Sequence, residues 1–189
     1  MAYTPCNKNL AANIQEDCTK PFVAGFIGEG VLIDLGVVTP NVAIDNANPR
    51  KFTSITIGES GHVCVVDNVW RDPFNGSSRT LDAETGRARY TNTLSLRVPG
   101  RSADISKDVV EPLASSYFLG IFPTVDKKFL VYGWYGKFQA SEQTQNESDN
   151  GGDFANTLSE TSPYAVCELW DTDYNTTKAI YDALKAKAF

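Results

Sequence analysis

Residues 90–98 read YTNTLSLRV, and their alternation decides the fold class. Tyr90, Asn92, Leu94, Leu96 and Val98 fall on one face of an extended chain, Thr91, Thr93, Ser95 and Arg97 on the other. A period of two marks a strand with one solvated side, and Pro99-Gly100 ends it. Downstream, Val109, Leu113, Tyr117 and Ile121 recur at helical spacing and predict a helix over Ser106–Ile121. Ser106 is its expected N-cap, with Asp108 in the first turn. Pro112 either sits in the first turn of a helix starting near Glu111 or kinks it. Lys128–Phe138 (KFLVYGWYGKF) is apolar on both faces and needs cover on both sides. Gln139–Asp153 (QASEQTQNESDNGGD) has almost nothing to bury and reads as a long polar loop. Phe154–Leu169 returns to strand character, with Pro163 parting Phe154–Ser159 from Tyr164–Leu169.

The upstream half extends the pattern. Phe22–Ile27 and Val31–Val38 flank Gly28-Glu29-Gly30, which suits a hairpin with glycines at positive φ. Phe52–Ile57 and His62–Trp70 are strand-like and joined by Gly58-Glu59-Ser60-Gly61. Residues 1–20 are irregular and read as an N-terminal arm; 171–189 read as a C-terminal helical extension. Its helix, Thr176–Ala188, is expected to be capped by Asn175 or Thr176. A thin stripe of Ile180 and Leu184 would let it pack only peripherally or on a neighbour. The whole is one domain over 1–189. It is mainly β, an antiparallel sandwich or barrel with one flanking α-helix and a C-terminal α-helix.

Chemistry is harder to find. The formal charge of −6 argues against a free-standing nucleic-acid binder, whose affinity comes from neutralising phosphates. No apolar run approaches the ~18 residues of a membrane span. The opening MAYTPCNKNLAANIQEDC lacks a charged start followed by an apolar run, so cytoplasmic synthesis without a secretory signal is expected. Cys6, Cys18, Cys64 and Cys167 show no C-x-x-C spacing, and His62 has no second histidine. No metal, no cofactor and no catalytic group is therefore expected. P-loop, G-x-G-x-x-G, G-x-S-x-G and H-E-x-x-H patterns are missing. Glu142 and Glu147 drawn as a glycosidase pair would lie in one polar loop without positioning structure.

Two stretches stand out by charge. Arg71–Arg101 holds six arginines against Asp72, Asp82 and Glu84, a local +3; Gln139–Asp153 holds four acids and no base, a local −4. The plain reading is two solvated loops. The sharper one pairs Arg71, Arg79, Arg87 and Arg89 with Glu142, Glu147, Asp149 and Asp153 across a contact between subunits.

The order strand (YTNTLSLRVPG), helix, strand (KFLVYGWYGKF), acidic loop with DNGGD, strand (FANTLSETSPYAV) resembles bacteriophage tail tube proteins, over roughly residues 50–170. The resemblance implies a virion structural protein, made in the host cytoplasm. It would assemble into rings, probably of six subunits, stacked as a tube with other phage tail proteins. DNA would pass through without specific binding, and no membrane is involved. An acidic lumen suits that, because it repels the DNA backbone. Three alternatives stand beside it. One is another tail or injection-tube component. Another is a non-catalytic carbohydrate- or peptide-binding sandwich using Trp70, Trp134 or Trp170, and the last a hydrolase whose site is built from loops.

Overall fold

The structure, a computed structural model, describes residues 25–58, 61–67, 76–81, 88–99, 102–145 and 153–189. Its strands form two sheets. The first runs, in spatial order, β2 (Asn41–Ile44), β3 (Lys51–Thr56), β11 (Cys167–Leu169), β8 (Phe129–Tyr132), β7 (Phe118–Pro123), β1 (Gly30–Asp34), β4 (Val63–Val66), and curls into a half-barrel. The second is β5 (Gly76–Leu81), β6 (Ala88–Val98), β10 (Phe154–Ser162), β9 (Gln139–Gln145). Every pairing is antiparallel except β11 with β3. The mainly β class read from the sequence is the class observed.

The alternation of residues 90–98 is realised in β6. Asn92, Leu94, Leu96 and Val98 are buried, and β6 pairs with β10 from Val98 opposite Phe154 to Tyr90 opposite Ser162. Both faces of the first sheet are covered, as the two-sided apolar run 128–138 required. Val31, Ile33, Leu119, Ile121, Phe129 and Val131 face one core, while Leu32, Phe118, Phe122 and Tyr132 face the other. The second sheet covers the latter face together with a helical stretch: α1 (Ala103–Ile105), a π-helical turn (Ser106–Val110) and α2 (Glu111–Ser115). The former face is covered by α3 (Tyr174–Lys185), whose Tyr181 ring lies 5.1 Å from that of Phe129.

Several expectations need correction. The helix begins earlier and ends earlier than Ser106–Ile121. Ser102 caps it, accepting from Ile105 N–H at 3.1 Å, and Ser116 is already extended. Residues 118–123 form β7, because a doubly buried strand of Phe118-Leu119-Gly120-Ile121-Phe122 outweighs the helical spacing of Tyr117 and Ile121. Pro112, with no N–H to give, follows the π turn at the start of α2, where the loss of an α-type bond is absorbed.

Neither expected hairpin is found among the described residues. Among 22–27, residues 22–24 lie outside the described residues, and β1 pairs with β4 and β7. β3 pairs with β2 and β11, never with β4. The 128–138 run is broken by Gly133 at φ 92°, so only 129–132 is strand. The stretch 139–153 is not all loop, since Gln139–Gln145 is the edge strand β9. Nor is Arg71–Arg89 one excursion, since 76–81 is β5. β10 continues to Ser162, and after Pro163 the chain crosses to the first sheet as β11.

The C-terminal helix is not peripheral. Asp173 caps it, accepting from Thr176 N–H at 2.8 Å, and Thr177, Tyr181 and Leu184 are buried. Ala188 then pairs with Val63, and Lys187 Nζ donates to the carbonyls of Ile57 (2.8 Å) and Gly58 (3.0 Å), tying the tail across the mouth of the half-barrel.

Candidate functional site: a groove at the β4 edge and two charged ends

A cavity of about 430 Å³ opens where the edge strand β4 meets the end of β6 and the helical stretch. Leu32, Val66, Leu96, Val98, Leu113 and Phe118 make its apolar wall. Asp34, Asp67 and Asp108 stand at its rim with His62 and Arg97. Asp34 is held in place: its Oδ1 accepts from Gly36 N–H (2.8 Å) and its Oδ2 from Ser116 Oγ–H (3.2 Å). Arg97 Nε–H is buried and has no acceptor among the described residues. Sites of this size with an apolar body and a few placed polar groups are the usual form of a binding pocket.

The backbone of β4 contributes as well. Asp34 N–H donates to His62 C=O at 3.3 Å, in the register that places Leu32 opposite Cys64 and Gly30 opposite Val66. Hydrogen-bonded pairs alternate along an antiparallel ladder, so Val63 and Val65 direct their N–H and C=O away from β1. Val63 C=O is used by the tail, accepting from Phe189 N–H at 3.4 Å. Among the described residues, Val65 C=O accepts from the Cys64 thiol, at 3.7 Å.

Elsewhere the described residues offer little reactive chemistry. The Glu160 carboxylate is buried between the sheets, where its Oε1 accepts from Asn92 Nδ2–H at 2.9 Å. The nearby Cys167 thiol is pushed up to about 12 by burial, with the Glu160 charge adding and Arg50 opposing. Burial likewise raises Cys64. Such thiols are poor nucleophiles. Among the described residues no three His, Cys, Asp or Glu side chains gather to hold a metal ion, and no helix is long and apolar enough to cross a membrane.

No family model, no curated protein and no solved structure matches the chain.

The charged residues singled out from the sequence are distributed by the ladder of the second sheet. Arg71, Arg87, Glu147 and Asp149, like Cys6, Cys18, Trp70 and the 1–20 arm, lie outside the described residues. Arg79 sits in β5 opposite Tyr90, and Arg89 is exposed in β6 opposite Thr80. Asp153 precedes Phe154 at the far end of the same sheet, and Glu142 is exposed in β9 opposite Thr157. The rung Tyr90/Ser162 and the rung Val98/Phe154 are eight residues apart in register, about 27 Å at strand spacing. Arg97, opposite Ala155, belongs to the Asp153 end, so the basic stretch 71–101 is not a single patch. Of the tryptophans considered as a platform, Trp134 is committed to packing edge-on against Phe52 (6.2 Å). The groove itself went unread from the sequence, because its wall is drawn from five separate segments; the only local signal was the short apolar run of β4.

Proposed function

We propose that the chain is a self-assembling virion structural protein that stacks end to end into a tube, as the resemblance to tail tube proteins implies. The observation that supports this reading most is the separation of opposite charges along one rigid sheet. Arg79 and Arg89 stand at the end where residues 82–87 join β5 to β6. Asp153 stands at the end where 146–152, with Glu147 and Asp149, join β9 to β10. Across about 27 Å of strand Arg79 and Arg89 do not reach Asp153 within one chain. They meet when the basic end of one copy sits on the acidic end of the next. A head-to-tail contact of that kind builds an open stack where its rotation does not close on itself. Each exposed ion pair contributes only about 0–1 kcal/mol, so the charges set polarity and register while apolar surface supplies adhesion.

Reversing each end separately tests the reading. One variant carries Arg79→Glu, Arg87→Glu and Arg89→Glu; the other carries Glu147→Lys, Asp149→Lys and Asp153→Lys. Each alone should fail to form tubes by electron microscopy. An equimolar mixture should restore them, because like-charged ends then alternate with complementary ones. Tubes from either variant alone at the parent's yield would defeat the reading.

A further inference from the structure

We infer that the groove beside β4 is a docking site for an extended peptide of a partner protein, with apolar residues at alternate positions and basic residues flanking them. Its main chain would add to the open edge of β4.

Three independent features of the groove converge on that chemistry. The first is the edge. Val65 presents an N–H and a C=O outward, and the neighbouring Val63 already accepts the main chain of the tail through the parallel bridge to Ala188. The edge therefore takes a strand partner at one position, and among the described residues the main chain at the next, Val65, has no strand partner, although Phe189 lines the same groove. Strand addition to an exposed edge gains affinity from main-chain hydrogen bonds and selectivity from pockets for alternate side chains. The second is the wall. Leu32, Leu96, Leu113 and Phe118 receive the side chains on one face of such a strand, and Arg97 Nε–H, buried and without an acceptor among the described residues, awaits a carbonyl. A buried donor left unpaired is costly, so an occupant that supplies an acceptor is favoured. The third is the rim. Among the described residues, Asp34, Asp67 and Asp108 outnumber Arg97 among its charged groups, with His62 beside them. This balance attracts Lys or Arg on the incoming segment and repels an acidic one. The occupant is thus a basic-flanked strand in preference to a fatty acid, whose carboxylate would meet three aspartates.

The probe is the synthetic peptide acetyl-Lys-Val-Thr-Val-Lys-amide, titrated into the full chain labelled with 15N and followed by heteronuclear NMR and calorimetry. Saturable shifts are expected at Val65, Leu96 and Leu113. The Glu-flanked peptide should bind about tenfold more weakly. Val65→Pro removes the outward N–H at an edge position where proline is tolerated. It should abolish binding while leaving the circular dichroism spectrum unchanged. Should that variant misfold, Asp67→Lys with Asp108→Lys serves instead, and must invert the preference between the two peptides. No saturable shift up to about 1 mM peptide overturns the inference. So does equal binding of the two peptides, or binding of decanoate more tightly than either.

Discussion

Replacing Gly30 by alanine probes a very tight contact in the core. A Cβ there would lie 2.1 and 2.2 Å from Cδ1 and Cε1 of the Phe122 ring. Restoring a normal carbon contact requires the ring to retreat by more than about 1 Å. It has nowhere to go. Gly120 packs against the same ring, for a Cβ built there would fall 2.7 Å from Cε2. The rings of Phe26 and Tyr132 stand 5.7 and 5.8 Å away, centroid to centroid. Phe122 is fully buried, so the strain is taken up by the sheet, and a destabilisation of about 3 kcal/mol, the upper part of the overpacking range, is expected. That is a large share of the ~5–15 kcal/mol that holds a typical domain folded. Phe122→Leu alone opens a gap and costs about 1–2 kcal/mol. Combined with Gly30→Ala it removes the clash, so the double variant should be more stable than the sum of the singles by about 1 kcal/mol or more. Urea unfolding followed by far-UV circular dichroism measures all four proteins. Additivity within about 0.5 kcal/mol would show that the two residues do not compete for one space, and would refute the reasoning.

Gly133→Ala should be at least as damaging, because φ is 92° there and a Cβ would fall 2.0 Å from the carbonyl oxygen of Phe118; a thermal melt equal to the parent's would contradict this. Asp173 is held below the usual carboxylate range, chiefly by the Thr176 N–H that it accepts. Its contribution is therefore complete above an unfolded pKa of about 3.9 and is lost as pH falls through the lower folded value. The stability gap between the parent and Asp173→Ala should accordingly close in acid, as urea titrations at several pH values would reveal. Native Cys64 and Cys167 should alkylate slowly with iodoacetamide, Cys167 the more slowly, since burial raises both thiols and takes Cys167 to about 12. Mass spectrometry of timed samples reads the order directly.

In the second sheet β6 and β10 were legible because they carry their instructions locally, whereas the polar outer strands β5 and β9 read as loop. In residues 90–98 the buried positions are the alternate ones, and Pro163 parts β10 from β11 where the chain changes sheets. In the first sheet most strands were legible but their pairing was not, because the partners are distant. Gly28-Glu29-Gly30 reads as a turn, yet Gly30 opens β1 and is small to admit the ring of Phe122. Leu119 and Ile121 sit in a strand whose burial on both faces erases any period of two, so helical spacing prevailed in reading. Asn175 and Thr176 are good caps in isolation. Asp173, two residues earlier, wins because Thr177 Oγ is engaged with Asp173 C=O (2.7 Å) and Asp171 N–H (3.0 Å), fixing the entry of α3. The charge contrast between 71–101 and 139–153 was visible, but its division between two ends depends on strand register, which pairwise pattern alone does not reveal.

The tail that closes the half-barrel sets the order in which this molecule can become itself. Phe52 lies beside Leu169 in the sheet, and the core around Phe129 is incomplete until Tyr181 and Leu184 arrive. Contacts this distant along the chain make folding slow, on the scale of milliseconds to seconds, and synthesis delivers the last partners only after everything they cover. An emerging chain therefore leaves the core around Phe129 uncovered until the residues of α3 are made.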